Sequence, residues 1–148
     1  MLSPEEIMKI CLKEAEKAFK ENEIPIGAVL VFQDGTLIKD HNRKEKKGFY
    51  SHAEFNVLMK ALKQNKDDLR SAVLYVTVEP CLMCIGAMIE ARISGLVYGT
   101  QEPKFGGIKI LKEAWKEGRY PHKFPIYEGL LKDDCSNILK KFFITKRK

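Results

Sequence analysis

Two short stretches of the chain carry residues whose types and spacing could do chemistry. In YSHAEF, residues 50–55, His52 and Glu54 form an H-x-E triplet, and in EPCLMC, residues 79–84, Cys81 and Cys84 form a C-x-x-C pair. One imidazole and two thiolates suit zinc, and three protein ligands leave a fourth tetrahedral position open, the mark of a catalytic site. A carboxylate beside that position can take a proton from a zinc-activated water and pass it on. Taken alone, C-x-x-C after a strand fits a redox pair equally well. H-x-E alone is weaker still. The two together, each at a helix start, are far more specific.

The geometry depends on helix beginnings. Cysteines at i and i+3 lie about 60° apart around a helix, so both sulfurs can face one point. His52 and Glu54 are about 200° apart in mid-helix, but in a first turn the side chains can project past the helix end and divide the labour. Ser51 and Glu54 also match a capping box, but a Glu54 that handles protons cannot serve as the reciprocal partner, so Ser51 is expected to cap alone a helix over 51–64 with Val57, Leu58, Ala61 and Leu62 on its apolar face. Cys81 opens a second helix, where unpaired N–H groups favour thiolates.

The remaining elements follow from local pattern. Ser3, Pro4 and Glu6 start a helix over about 4–22. The run IPIGAVLVF, a turn at Asp34-Gly35 and TLIKDHN make a hairpin. A polar loop fills 43–50. SAVLYVTV, CLMCIGAMIEAR and GLVYG read as strand, helix and strand, a βαβ unit with a parallel pair. Beyond Gly99 come a Gly/Pro loop, a helix in ILKEAWKEG, an irregular stretch with a short strand and a terminal helix over 130–145. The sum is one domain, 1–148, with a mixed sheet covered by helices on both faces.

Composition narrows the class. With 45% apolar and 31% charged residues the chain is neither disordered nor fibrous, and no apolar run approaches the ~20 residues that span a bilayer. The amino terminus lacks a signal-peptide core, which predicts a cytoplasmic protein whose Cys11 and Cys135 are small buried hydrophobes. A net charge of +6 is concentrated in KKFFITKRK, 140–148, and RKEKKGFY, 43–50. Basic groups interleaved with aromatics suit a phosphate backbone with unstacked bases. The plainer reading is a solvated helix end with Phe142 and Phe143 packed inward.

His52-Ala53-Glu54 followed by Pro80-Cys81-x-x-Cys84 matches an established signature of the zinc-dependent cytidine and nucleobase deaminases. Over nearly its whole length the chain further resembles the bacterial tRNA-specific adenosine deaminases, through IPIGAVLV, HN at 41–42, HAE, LYVTVEPCLMCIGAMIEARI, LVYG and EGLLKDDCSNILKKFF. The resemblance implies a cytidine deaminase-like three-layer α/β/α sandwich with a mixed five-stranded sheet. It also implies a homodimer with one zinc ion per subunit on His52, Cys81 and Cys84. The implied reaction converts the wobble adenosine of a tRNA anticodon stem-loop to inosine, with Glu54 as the proton carrier. Asn42, Ile26 and the backbone at Ala53 are implied to contact the base.

The chain departs from that family in its loops. Gly48-Phe49-Tyr50-Ser51 replaces the usual Asp-Pro-Thr, Glu102-Pro103-Lys104 replaces Asp-Pro-Lys, Ile108-Lys109-Ile110 replaces Gly-Ser-Leu, and Pro121-His122 stands where Asn-His is usual. Two alternatives therefore stay open. One is a deaminase of a free base or nucleoside, guanine or cytosine in type. The other is a non-catalytic zinc or nucleic-acid-binding module closed by His41 or His122 as a fourth ligand.

Overall fold

A computed structural model describes residues 1–66 and 68–146. Helix α1, Pro4–Lys20, begins with the expected capping box: Ser3 accepts from the Glu6 backbone and Glu6 accepts from the Ser3 backbone. The hairpin follows as β1, Gly27–Val31, and β2, Leu37–His41, paired antiparallel with Gly27 opposite His41. Gly35, at φ +89°, supplies the left-handed residue of its turn, and Asp34 closes it by accepting from Thr36 N at 2.9 Å. Next come α2, Lys44–Lys47, and α3, Ala53–Lys63, then a single 3₁₀ turn at Leu69–Ser71. The second half holds β3, Val73–Val78; α4, Leu82–Ala91; β4, Gly95–Thr100; α5, Ile108–Lys116; β5, Ile126–Glu128; and α6, Lys132–Lys146.

The five strands form one mixed sheet in the order β2-β1-β3-β4-β5, with β1 antiparallel to both neighbours and β3, β4 and β5 parallel. Side chains alternate between two cores. Leu30, Leu74, Val76, Leu96 and Tyr98 pack with Val57, Met88 and Leu111 of α3, α4 and α5. On the opposite face Val29, Tyr75 and Val97 pack with Met8 and Cys11 of α1 and Cys135 of α6. Helices thus cover both faces, the three-layer α/β/α sandwich expected. Cys11 and Cys135 are fully buried within it.

The strand directions position everything functional. Because β1 is antiparallel to both β2 and β3, those two strands point the same way, and their carboxyl ends reach the same edge of the sheet. The segments leading to α3 and α4 therefore start there, in the place where open α/β sheets bind ligands. No helix among the described residues is long and apolar enough to cross a membrane.

Four local expectations are corrected. The stretch 43–50 is not loop throughout, since α2 forms within it. Helix α3 starts at Ala53 with His52 at the N-cap, not Ser51. Ser51 donates its hydroxyl to Asn56 Oδ1 at 3.1 Å, so no capping box forms. Leu62 is 46% exposed instead of joining Val57, Leu58 and Ala61 in the core.

Candidate metal centre and catalytic site

Both key helices begin on a residue whose side chain is turned away from capping. His52 and Cys81 are the N-caps of α3 and α4, each with extended backbone angles, and neither makes a side-chain cap hydrogen bond. Serine or aspartate at that position would fold its oxygen back onto the helix. Here the two side chains point at one another. Cys81 Sγ lies 3.5 Å and Cys84 Sγ 3.7 Å from His52 Nδ1, and the three potential ligand atoms are within 4.8 Å of each other.

That spacing fits a metal. A tetrahedral zinc ion with bonds of about 2.0–2.1 Å to nitrogen and about 2.3 Å to sulfur holds the two atoms roughly 3.5 Å apart. The protonation pattern agrees. A hydrogen bond from Cys84, followed by one from His52, lowers the Cys81 thiol to about 4. The same hydrogen bond to Cys81 raises His52, while the bond with Cys81 and burial push Cys84 far up. The three groups share protons that a divalent cation would displace.

Glu54 occupies the first turn of α3, is 4% exposed and sits beside Cys84. Burial raises its carboxyl to about 7, a value at which it can both accept and release a proton near neutrality. Two titratable groups pushed in opposite directions thus lie in one cluster: a low-pKa Cys81 thiol and a raised Glu54 carboxyl.

Asn42 follows β2 and is almost fully buried. Its Oδ1 accepts from Ala53 N at 2.9 Å, which supplies the helix cap that Ser51 does not, and its own N–H donates to Ile26 O at 3.1 Å. The Ala53 N–H is therefore already engaged. Ile26 is half-buried against the core of the α3–α5 face. Asn56 completes the frame, donating to His41 O at 3.0 Å while accepting from Ser51.

Neither candidate fourth ligand reaches the centre. His41 lies between Glu14 at 3.2 Å and Glu21 at 3.1 Å, in a buried group with Asp40 whose acids are matched by Lys17, Arg43 and Lys60. That group braces the end of β2. His122 Nε2 bonds to Ile93 O at 2.8 Å.

Two carboxylates escaped sequence reasoning. Buried Glu23 accepts from Glu45 N and Lys46 N at 2.9 and 3.1 Å, anchoring α2. Glu79 accepts from Glu102 N and Ile108 N, each at 3.1 Å. Their partners are backbone groups, which leave no mark in the sequence beyond the close-packed Gly106.

The sequence profile of the MafB19-like deaminases matches residues 2–147. The chain belongs to the deaminase family. Among similar proteins, the tRNA-specific adenosine deaminase of Bacillus subtilis (strain 168) is 38% identical over 100% of this chain and 93% of its own. That of Streptococcus pyogenes serotype M1 is 41% identical, covering 92% and 81%. A solved structure from studies of A-to-I editing by tRNA:A34 deaminases at the wobble position superposes with a TM-score of 0.80 at 37% identity, over 90% of this chain and 98% of that one. Within this deaminase family the cluster of His52, Cys81 and Cys84 with buried Glu54 is a candidate hydrolytic centre.

Proposed function

We propose that this deaminase converts the wobble adenosine of a tRNA anticodon to inosine and releases ammonia. The observation that carries the reading is the full-length likeness to tRNA-specific adenosine deaminases, in a chain whose soft ligand cluster and buried carboxylate fit that reaction.

His52 through Nδ1 and the sulfurs of Cys81 and Cys84 would hold one zinc ion per subunit. Zinc bound there lowers the pKa of a water ligand to about 7. Glu54 takes the proton of the attacking water, delivers it to a ring nitrogen, and transfers the second water proton to the departing amine. The C6–N bond breaks, a carbonyl oxygen remains at C6, and Glu54 returns to its starting state. Asn42, fixed by the Ala53 N–H, orients the base through its amide NH2, and Ile26 packs against the ring. The Ala53 backbone acts through Asn42, because its N–H is already engaged there.

An RNA strand is supported by a basic and aromatic surface on the turn whose Gly106 bridges to Cys81. Lys104 and Phe105 share a cavity of about 710 Å³ with Lys140, Phe143 and Ile144 of α6. The basic tail is mixed in role: Phe142 is buried against Phe19, Phe143 is 45% exposed, and residues 147–148 lie outside the described residues. A homodimer fits the apolar side chains left exposed on α3, α4 and α5, namely Met59, Leu62, Leu82 and Ile110. The four free cysteines agree with a cytoplasmic setting.

The test offers the zinc-loaded protein an anticodon stem-loop and, separately, free adenine, guanine, cytosine and their nucleosides. Inosine in the RNA is expected. Turnover of a free base with untouched RNA would overturn the tRNA reading.

A further inference from the structure

Glu79 stands between the end of β3 and Cys81, yet its side chain serves another segment. Its two carboxylate oxygens each accept one backbone N–H, from Glu102 and from Ile108, and these residues bracket the loop between β4 and α5. Ile108 is the first residue of α5, whose N-cap, Gly107, has no side chain to offer. Glu79 supplies that cap from across the fold and places a negative charge at the positive end of the helix.

The loop is built around this carboxylate. The three nearest heavy atoms to a Cβ added at Gly106 all belong to the Glu79 carboxylate, and the added atom would overlap it. Gly107 N donates to Pro80 O at 2.9 Å, and Gly106 forms an isolated bridge with Cys81. Inside the loop Glu102 Oε1 accepts from Lys104 N at 2.8 Å and Phe105 N at 3.3 Å. The outcome is a tight turn, registered on the segment that carries Cys81, whose tip presents Lys104 and a 72% exposed Phe105.

We propose that Glu79 is a positioning residue for substrate recognition: its carboxylate fixes the spacing between the Cys81 edge of the candidate metal centre and the Lys104–Phe105 turn. An RNA strand that engages the turn, with a phosphate at Lys104 and a base stacked on Phe105, then presents its neighbouring base to the centre. The inference rests on the RNA substrate proposed above.

The experiment uses the zinc-loaded full-length chain with an anticodon stem-loop, in four forms: wild type, Glu79→Ala, Gly106→Ala and the double variant. KM, kcat, zinc content and thermal midpoint are measured for each. Losing hydrogen bonds that only place a binding element raises KM about tenfold while kcat stays within about twofold and zinc is retained. The double variant should be no worse than the poorer single, because the methyl of Gly106→Ala harms only by displacing a carboxylate that Glu79→Ala has already removed. Should Glu79→Ala fail to fold, Gly106→Ala alone carries the KM test.

An unchanged KM overturns the proposal. So does a joint fall of kcat and zinc content at constant KM, which would make Glu79 a support for Cys81 alone, and so do additive losses in the double variant. A wild-type chain that leaves the stem-loop unmodified removes the RNA reading and this inference together. An active wild type with unaltered variants removes this inference alone.

Discussion

Asn42 Oδ1 accepts the backbone N–H of Ala53 at 2.9 Å, joining the end of β2 to the start of the helix that carries His52 and Glu54. The acceptor must be the oxygen, because an amide nitrogen cannot receive that proton. Asn42 thus has two separable roles, the observed cap through its oxygen and the proposed donor to the base through its NH2.

Replacing Asn42 should separate them. Asn42→Ala leaves the Ala53 N–H buried and unsatisfied and should destabilise the fold by about 1–3 kcal/mol in denaturant unfolding. Asn42→Asp keeps the acceptor, so its stability should stay nearer wild type while turnover of the stem-loop falls by roughly ten- to a hundredfold. Equal turnover by Asn42→Asp and wild type would remove the donor role.

The metal-free protein should lose stability as pH rises through 7. Burial raises the folded Glu54 carboxyl from 4.5 to about 7. A raised folded value means that the contribution is fully present below pH 4.5 and is lost as pH rises through the folded value. Glu54→Gln has no proton to lose, so the metal-free variant should gain about 3 kcal/mol over metal-free wild type between pH 4 and pH 8. Parallel stability curves for the two would contradict a raised Glu54 carboxyl.

Much of this site was legible in the sequence because it depends on helix starts. That His52, Cys81 and Cys84 come together was legible from types and spacing, and the βαβ unit that carries the cysteines follows from its apolar runs. The capping box at Ser51 was misleading for a tertiary reason. A residue from β2, Asn42, caps α3 more directly, which frees Ser51 for Asn56 and moves the helix start two residues on. Helix α2 was hidden because its anchor is the distant Glu23, whereas the short strand expected in the irregular stretch after α5 is found as β5, Ile126–Glu128. Glu79 lies inside the EPC motif, but a carboxylate that binds backbone N–H groups has no partner residue to read.

The basic surface is best tested by charge, not by truncation. Phe142 packs edge-on against Phe19 with their ring centroids 5.5 Å apart, so deleting 140–148 would unseat α6 as well as remove lysines. Lys104→Ala and Lys140→Ala should each weaken stem-loop binding and reduce the slope of log K against log salt by about 0.7–1 if each contacts one phosphate. An unchanged slope in both would return these lysines to a purely solvating role.

The candidate centre should bind one zinc ion per chain. Cys84→Ser should reduce zinc occupancy at least tenfold, and a chelator should lower the thermal midpoint of wild type but leave that of Cys84→Ser unmoved. A chelator-insensitive wild type would show that the cluster is not a metal centre.

The most direct measurement is single-turnover deamination of an anticodon stem-loop by Glu54→Gln beside wild type, with inosine and bound zinc quantified in the same samples. The expected result is inosine from wild type, a loss of at least about a thousandfold in the variant, and the same zinc content in both. Inosine formed by Glu54→Gln at the wild-type rate, or loss of zinc from that variant, would contradict the assignment of Glu54 as the proton carrier that stands off the metal.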